Sequence, residues 1–309
     1  MSTITPAHIR SLNRQKMSET IFMVLVWLCI LLALFTFLTL FTDLISKGWS
    51  KINPEFFTNF PSRRAERAGI YSAWVGSALV MLVTFCTGVP LGVAAGIYLE
   101  EYAKKNWLND VIEINISNLA GIPSIVYGLL ALGLFVQHFS LGQSILSAGL
   151  TLGLLILPIV IVATRESIRT IPNTIREASY ALGSTRWQMI WFHILRYASP
   201  GILTGVIIGL ARAIGETAPL ITIGALTFIT FLPPMPFTSF DGAPAAGLFD
   251  WLSSGFTVMP IQMFNWTSRP EEAFQINAAA AGLVLLSMSL LMNGFAIWLR
   301  YRLRKNISW

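Results

Sequence analysis

Long apolar runs alternate with short polar joints along this chain, and the runs are too long and too evenly apolar to be single faces of surface helices. A bilayer core of about 30 Å is crossed by roughly 20 apolar residues in a helix. Six segments reach that length, near residues 20–44, 70–99, 114–136, 143–164, 200–230 and 277–299. The pattern predicts an all-α, polytopic membrane protein of about six transmembrane helices. A polar head (1–19) precedes the first helix (20–44), an outer loop follows (45–69), a five-helix core covers 70–300, and a tail closes the chain (301–309). The first apolar run exceeds the short apolar core of a cleavable signal peptide, so it is expected to be retained.

Composition narrows the class further. Hydrophobic residues make up 54% of the chain and charged residues only 12%, with a mean hydropathy of +0.65. No stretch between the apolar runs is long enough to bury a separate water-soluble core. Lys and Arg concentrate on one set of helix ends, at Arg10, Arg14 and Lys16, at Lys104 and Lys105, from Arg165 to Arg196, and at Arg300, Arg302, Arg304 and Lys305. That side is expected to be cytoplasmic, with both termini on it. The first outer loop opposes this with Lys47, Lys51, Arg63, Arg64 and Arg67. The net charge of +6 lies mostly on residues flanking apolar helices, which does not indicate nucleic-acid binding. Cys29 and Cys86 fall inside apolar runs, where free cysteine acts as a small hydrophobe.

Two polar regions are too long to be turns, residues 165–199 inside and 231–276 outside. In the inner one, Ile175, Ala178, Ala181, Leu182, Met189, Ile190 and Trp191 recur at helical spacing, interrupted at Gly183. The spacing predicts a short helix, a turn at Gly183 and Ser184, and a second short helix at the membrane surface. Such an element could rest on lipid headgroups or be gripped by a protein partner. In the outer region, Trp251 and Trp266 suit the headgroup level.

The sharpest chemical signal is a charge pair inside an apolar run. Arg212 and Glu216 are four residues apart, on one helix face, so each can neutralise the other. Ionisable residues at membrane depth are costly and mark functional sites by default. Two readings stay open: a latch opened when an anion competes for Arg212, or a static ion pair that holds helices together. Gly205, Gly209 and Gly215 thin the same helix, and Pro219 permits a kink near Thr217, whose hydroxyl could donate to an ion. No nucleotide-binding loop of the G-x-x-x-x-G-K-[ST] type is present, so any ATP would be held by another chain. His8, His138 and His193 are scattered near joints and form no nucleophile or metal constellation.

The inner run Glu177, Ala178, Ser179, Gly183 and Leu195 resembles the E-A-A, three residues, Gly signature of ATP-binding-cassette importer permeases, with His193 and Arg196 departing from its second half. GIPSIVYGL (121–129), LPIVIVATRESIRTIPNTIREASYALGSTRWQ, GILTGVIIGLARAIGETAPL and the outer NWTSRP (265–270) are similar to the PstA-type permeases of phosphate importers, as is NPEFFT (53–58). Ala68 and Gly69 stand where many relatives have a glycine pair. The resemblance implies a type I importer permease fold in the bacterial inner membrane. Glu177, Ala178, Ser179 and Gly183 would then be the ATPase-coupling region, with Glu177 near a helix start and Gly183 at the bend. Arg212, Glu216 and Thr217 would serve inorganic phosphate in the pathway. The implied partners are a PstC-type second permease, a PstB-type ATPase dimer that binds ATP and Mg, and a PstS-type phosphate-binding protein, with no cofactor in this chain. An importer for sulfate, molybdate or phosphonate is the alternative, since Arg212 would attract any of these anions.

Overall fold

A computed structural model describes residues 6–104, 106–234 and 247–305, which fold into helices with no strand among them. Of the predicted head, outer loop 231–276 and tail, residues 1–5, 235–246 and 306–309 lie outside the described residues. So do Lys105 and the side chains of His8, Arg10, Arg14, Arg304 and Lys305. The helices are α1 (Pro6–Gly48), α2 (Pro54–Thr58), α3 (Tyr71–Ile97), α4 (Trp107–Leu119), α5 (Ser124–Ala131), α6 (Ile145–Arg169), α7 (Asn173–Ala181), α8 (Arg186–Met189), α9 (Leu195–Ile214), α10 (Ala218–Thr222), α11 (Met259–Thr267) and α12 (Glu272–Lys305). Wider π-helical stretches extend α3 over Tyr98–Tyr102 and α5 over Leu132–His138, and join α8 to α9 over Ile190–Ile194.

Among the described residues, five helical runs are long and apolar enough to cross a membrane: Lys16–Lys51, Tyr71–Tyr102, Ile145–Arg169, Arg186–Ile214 and Glu272–Arg302. The sixth predicted span, 114–136, is not one rod. It is α4 and α5, bent by 107° between Leu119 and Ser124. Pro123 has no N–H to continue the helix and biases Ile122 away from helical geometry. The Tyr127 hydroxyl fastens the bend by donating to the Leu119 carbonyl at 2.8 Å.

Two further expectations are corrected. The run 200–230 is not one helix: α9 ends at Ile214, residues 215–217 leave helical geometry, and a short helix resumes at Ala218 with Pro219 in its first turn, where the missing N–H is tolerated. The outer region 231–276 is in large part folded core rather than loop. Phe256, Val258, Met259, Ile261 and Trp266 are buried, and Trp266 packs on Phe56 inside the chain with ring centroids 6.2 Å apart. Its backbone is tied to the helices: Met259 N donates to Ser77 Oγ at 2.8 Å, Leu226 N to the Phe256 carbonyl at 3.0 Å, and Ile145 N to the Ser254 carbonyl at 3.1 Å.

The helix α6 is the hub. Two thirds of its most apolar window (67%) is buried within the chain, against none of the corresponding window of α1. Val80 of α3 and Val206 and Leu210 of α9 join Leu152, Ile156 and Val160 of α6 in one apolar cluster. A second cluster, around Phe56, Ile70, Trp266 and Phe274, closes the end where α2 and α11 lie. α1 runs antiparallel to α12, with Gly48 against Ala279 and Ala280 and Leu44 reaching Gly282.

Close approach of α9 to α6 depends on a missing side chain at Gly205, where a Cβ would fall 2.1 Å from the Ala163 Cβ. Gly205→Leu is expected to force the two helices apart at an overpacking cost of about 1–3 kcal/mol. The check is the thermal midpoint of the purified chain in detergent, which should fall.

Candidate functional site

Arg212 occupies the last turn of α9, and Glu216 lies just past the helix end. Arg212 Nε and Glu216 Oε1 are 3.3 Å apart, an ion pair that forms even though residues 215–217 have left the helix. The turn is held by Gly215 N to the Arg212 carbonyl at 3.3 Å and Glu216 N to the Ala213 carbonyl at 3.2 Å. The chain then re-enters helix at α10, where the Thr217 carbonyl accepts from Leu220 N and Ile221 N. Thr217 therefore starts the new helix through its backbone and sits beside the pair, half-buried. A cation in the last turn of a helix is also favoured by the partial negative charge there.

Ala213, next to Arg212, is buried and lines a gap with Ser77 and Leu152, which lie about two turns into α3 and α6, roughly 10 Å from their ends at 1.5 Å per residue. The Glu216 side chain is 17% exposed and Arg212 37%, and among the described residues the hydrogen bond from Arg212 runs through Nε, with none from Nη1 or Nη2. The guanidinium keeps its two-pronged edge free. That edge is the geometry that receives two oxygens of an oxyanion.

Two of the segments singled out in the sequence support this turn by packing on each other. Gly128, in GIPSIVYGL on α5, faces Pro219 and Thr222 of α10, and a Cβ there would fall 2.6 Å from Pro219 Cα. The close fit of α5 against α10 fixes where the broken end of α9 can lie.

At the opposite end of the bundle, α7 and α8 form an elbow between the ends of α6 and α9. Gly183 makes the bend with a φ of +81°, a left-handed conformation that side chains resist. Thr185 opens α8 with a reciprocal cap, its Oγ1 accepting from Gln188 N at 3.3 Å and its N donating to Gln188 Oε1 at 2.9 Å. Glu177 lies mid-helix in α7 rather than near its start, since α7 begins at Asn173 behind Pro172. Glu177, Ala178 and Gly183 are exposed. Ser179 is not: it follows Ile175 by four residues on the inward face, and its Oγ is enclosed with no hydrogen-bond partner. The second arm does not lie free at a surface either, because α8 continues without a break into α9. At the tip, Leu182 is 86% exposed, and the Trp187 and Trp191 rings stack at 5.7 Å with both side chains exposed.

Beside the elbow is a charge cluster that sequence reasoning treated only as orienting charge. Arg165, 8% exposed, reaches Glu113 Oε2 at 2.7 Å and Glu100 Oε2 at 3.4 Å. Arg169 holds the same two carboxylates at 3.1 and 2.9 Å, and Glu166 at 3.2 Å. The cluster joins α6 to α4 and to the end of α3. The i, i+4 spacing of Arg165 and Arg169, opposite Glu100 at the end of another apolar run, was the available signal.

A bundle of membrane-length helices with a broken, cation-bearing span and an exposed elbow defines the membrane-embedded subunit of a transporter. The family of binding-protein-dependent transport system inner membrane components matches residues 88–307. The chain is 35% identical over 251 residues to the phosphate transport system permease protein PstA of Xylella fastidiosa (strain Temecula1), covering 81% of each. It is 33% identical over 284 residues to the protein of that name from Yersinia pestis, covering 91% of this chain and 88% of that one. In fold it is similar to a chain of a bacterial ABC transporter involved in alginate import, with a TM-score of 0.61 at 13% identity over 95% and 99% of the two chains. A chain of the MetNI methionine transporter gives a TM-score of 0.55 at 16% identity over 76% and 95%. The chain belongs to the binding-protein-dependent transport system inner membrane component family, and its fold is that of ABC importer permeases.

Gly128→Val is expected to push α10 off α5 and lower the thermal midpoint through an overpacking cost of about 1–3 kcal/mol. Gly133→Val, where a Cβ meets nothing within 4 Å, should leave the midpoint unchanged. Scanning fluorimetry of the two variants compares them directly.

Proposed function

We propose that this chain is the transmembrane permease subunit of an ATP-driven inorganic phosphate importer, forming half of the translocation pathway. The observation that carries this reading is the identity of 33–35%, over most of both chains, to permeases named for phosphate transport. The site chemistry agrees with it. Phosphate bears one to two negative charges and needs a cation to cross an apolar barrier, and a guanidinium supplies one that cannot lose its proton.

On this reading Arg212 is a latch. At rest it leans on Glu216 through Nε alone, and its free edge receives phosphate oxygens. Glu216 limits how tightly the anion is held, because the two compete for one cation. The single 3.3 Å contact favours the latch over a static tie, which would engage the guanidinium through both prongs as Arg169 engages its carboxylates. Thr217 completes the site with a hydroxyl donor.

Energy comes from outside the chain. The elbow presents Glu177, Ala178, Leu182 and Gly183 to a PstB-type ATPase, which holds ATP and Mg, while Ser179 sets the angle of α7 from within. A PstC-type permease supplies the second half of the pathway, and a PstS-type binding protein delivers phosphate from outside. The elbow and both termini then face the cytoplasm, in the bacterial inner membrane.

Arg212→Gln is expected to abolish phosphate uptake by the reconstituted complex while the complex still assembles. Radiolabelled phosphate uptake, competed with sulfate, molybdate and phosphonate, is the measurement. Normal uptake by the variant removes Arg212 from the mechanism, and stronger transport of a competitor replaces phosphate as the substrate.

A further inference from the structure

Both arms of the elbow converge on one point, the end of the α3 span at Glu101 and Tyr102. Arg176 of α7 donates to Glu101 Oε1 from Nη2 at 2.7 Å and from Nε at 3.0 Å. The pair is largely enclosed, Glu101 being 7% exposed and Arg176 18%. The same guanidinium donates from Nη1 to the Ile171 carbonyl at 2.9 Å and Asn173 Oδ1 at 3.2 Å, and from Nη2 to the Ile168 carbonyl at 3.3 Å. The Ile168 and Ile171 carbonyls lie at the C-terminal end of α6, where intrahelical donors run out. From the other arm, Arg186 Nη1 donates to the Glu101 carbonyl at 3.3 Å, and the guanidinium sits 5.5 Å from the centre of the Tyr102 ring.

The geometry points to Glu101 as a positioning residue, the socket through which movement of the elbow is passed to α3. This rests on the reading that an ATPase grips the elbow. Apolar contacts slide, whereas an enclosed carboxylate holding a fixed guanidinium fork has one geometry and resists rotation. Along the chain α7 is tied to α6 through the Thr170–Pro172 link and to α8 and α9 through the Gly183 bend, and neither connection leads directly to α3. With the socket, the pull reaches α3 as well. The far part of α3 carries Ser77, Val80 and Met81, which line a gap with Ala213 and Leu220 on either side of the Arg212 turn. Ser77 is roughly 36 Å along the helix from Glu101 at 1.5 Å per residue. A tilt of α3 at its socket therefore changes the packing around the anion site.

Glu101 is the informative position because it lies on α3 behind the elbow, away from the surface offered to the ATPase. The test uses the whole transporter in proteoliposomes, with its ATPase, second permease and binding protein, and reads basal ATP hydrolysis and phosphate taken up per ATP. Glu101→Gln keeps the shape and removes the charge. It is expected to leave the complex assembled and hydrolysing ATP, with uptake per ATP reduced about fivefold or more. Arg176→Glu alone should be at least as impaired, and the exchange pair Glu101→Arg with Arg176→Glu should recover part of the loss, which a merely space-filling role would not predict. Unchanged uptake per ATP in Glu101→Gln, or an exchange pair no better than its single variants, overturns the socket. If the single variants fail to assemble, recovery of assembly and uptake by the exchange pair upholds it and no recovery overturns it. An unmodified complex that hydrolyses ATP but carries no phosphate sinks the substrate reading alone, and the coupling ratio is then read with the anion it does carry.

Discussion

A guanidinium carried in an apolar span must be answered by a negative charge. The arrangement of this chain around α9 follows from how that is met. Arg212 is balanced by Glu216, and the pairing persists although the helix ends between them. Breaking a helix at membrane depth frees backbone groups that lipid cannot satisfy. Here the turn returns the Gly215 and Glu216 N–H groups to the last carbonyls of α9, and α10 starts at once. The broken end is then covered by α5, which can come close only because Gly128 carries no side chain. The bend between α4 and α5 brings α5 to that place.

The two charged regions of the chain are built differently. Near the elbow, Arg169 and Arg176 each use Nε and both terminal nitrogens, in bonds that include carboxylates from other helices, and have little capacity left for a ligand. At the broken end of α9, a single contact leaves the fork of Arg212 open. Saturated pairs suit a joint that must hold its shape, and an unsaturated pair suits a place where an ion arrives and leaves. The contrast lies in the number of bonds each guanidinium makes rather than in the presence of charge.

Much of this was legible in the sequence, and the parts that were not have identifiable reasons. The spans could be read because lipid demands about 20 apolar residues in succession, and the Arg212–Glu216 pair because four residues is one turn. Hydropathy is blind to direction, so the apolar run 200–230 hid the stop at Ile214, and 114–136 hid a bend of 107° at Gly121 and Pro123. Phe256, Val258, Met259 and Ile261 have no helical or alternating period. Their burial depends on partners as distant in sequence as Ser77, which no local pattern reports. Arg165, Arg169 and Arg176 were counted as charges that set orientation. Their pairing with Glu100, Glu101 and Glu113 appears only once the ends of α3, α4 and α6 are brought together.

The sparse attachment of α1 bears on how such a chain can vary over time. Its foot is fixed where Gly48 meets Ala279 and Ala280, while the apolar stretch above has no neighbour within the chain to match. Nothing inside the subunit then selects one greasy side chain over another there, and drift is limited by the surrounding membrane or an adjoining subunit. The hub helix α6 has no such latitude, since its inward side is packed by both α3 and α9. Sequence divergence in this architecture should therefore accumulate from the rim inward.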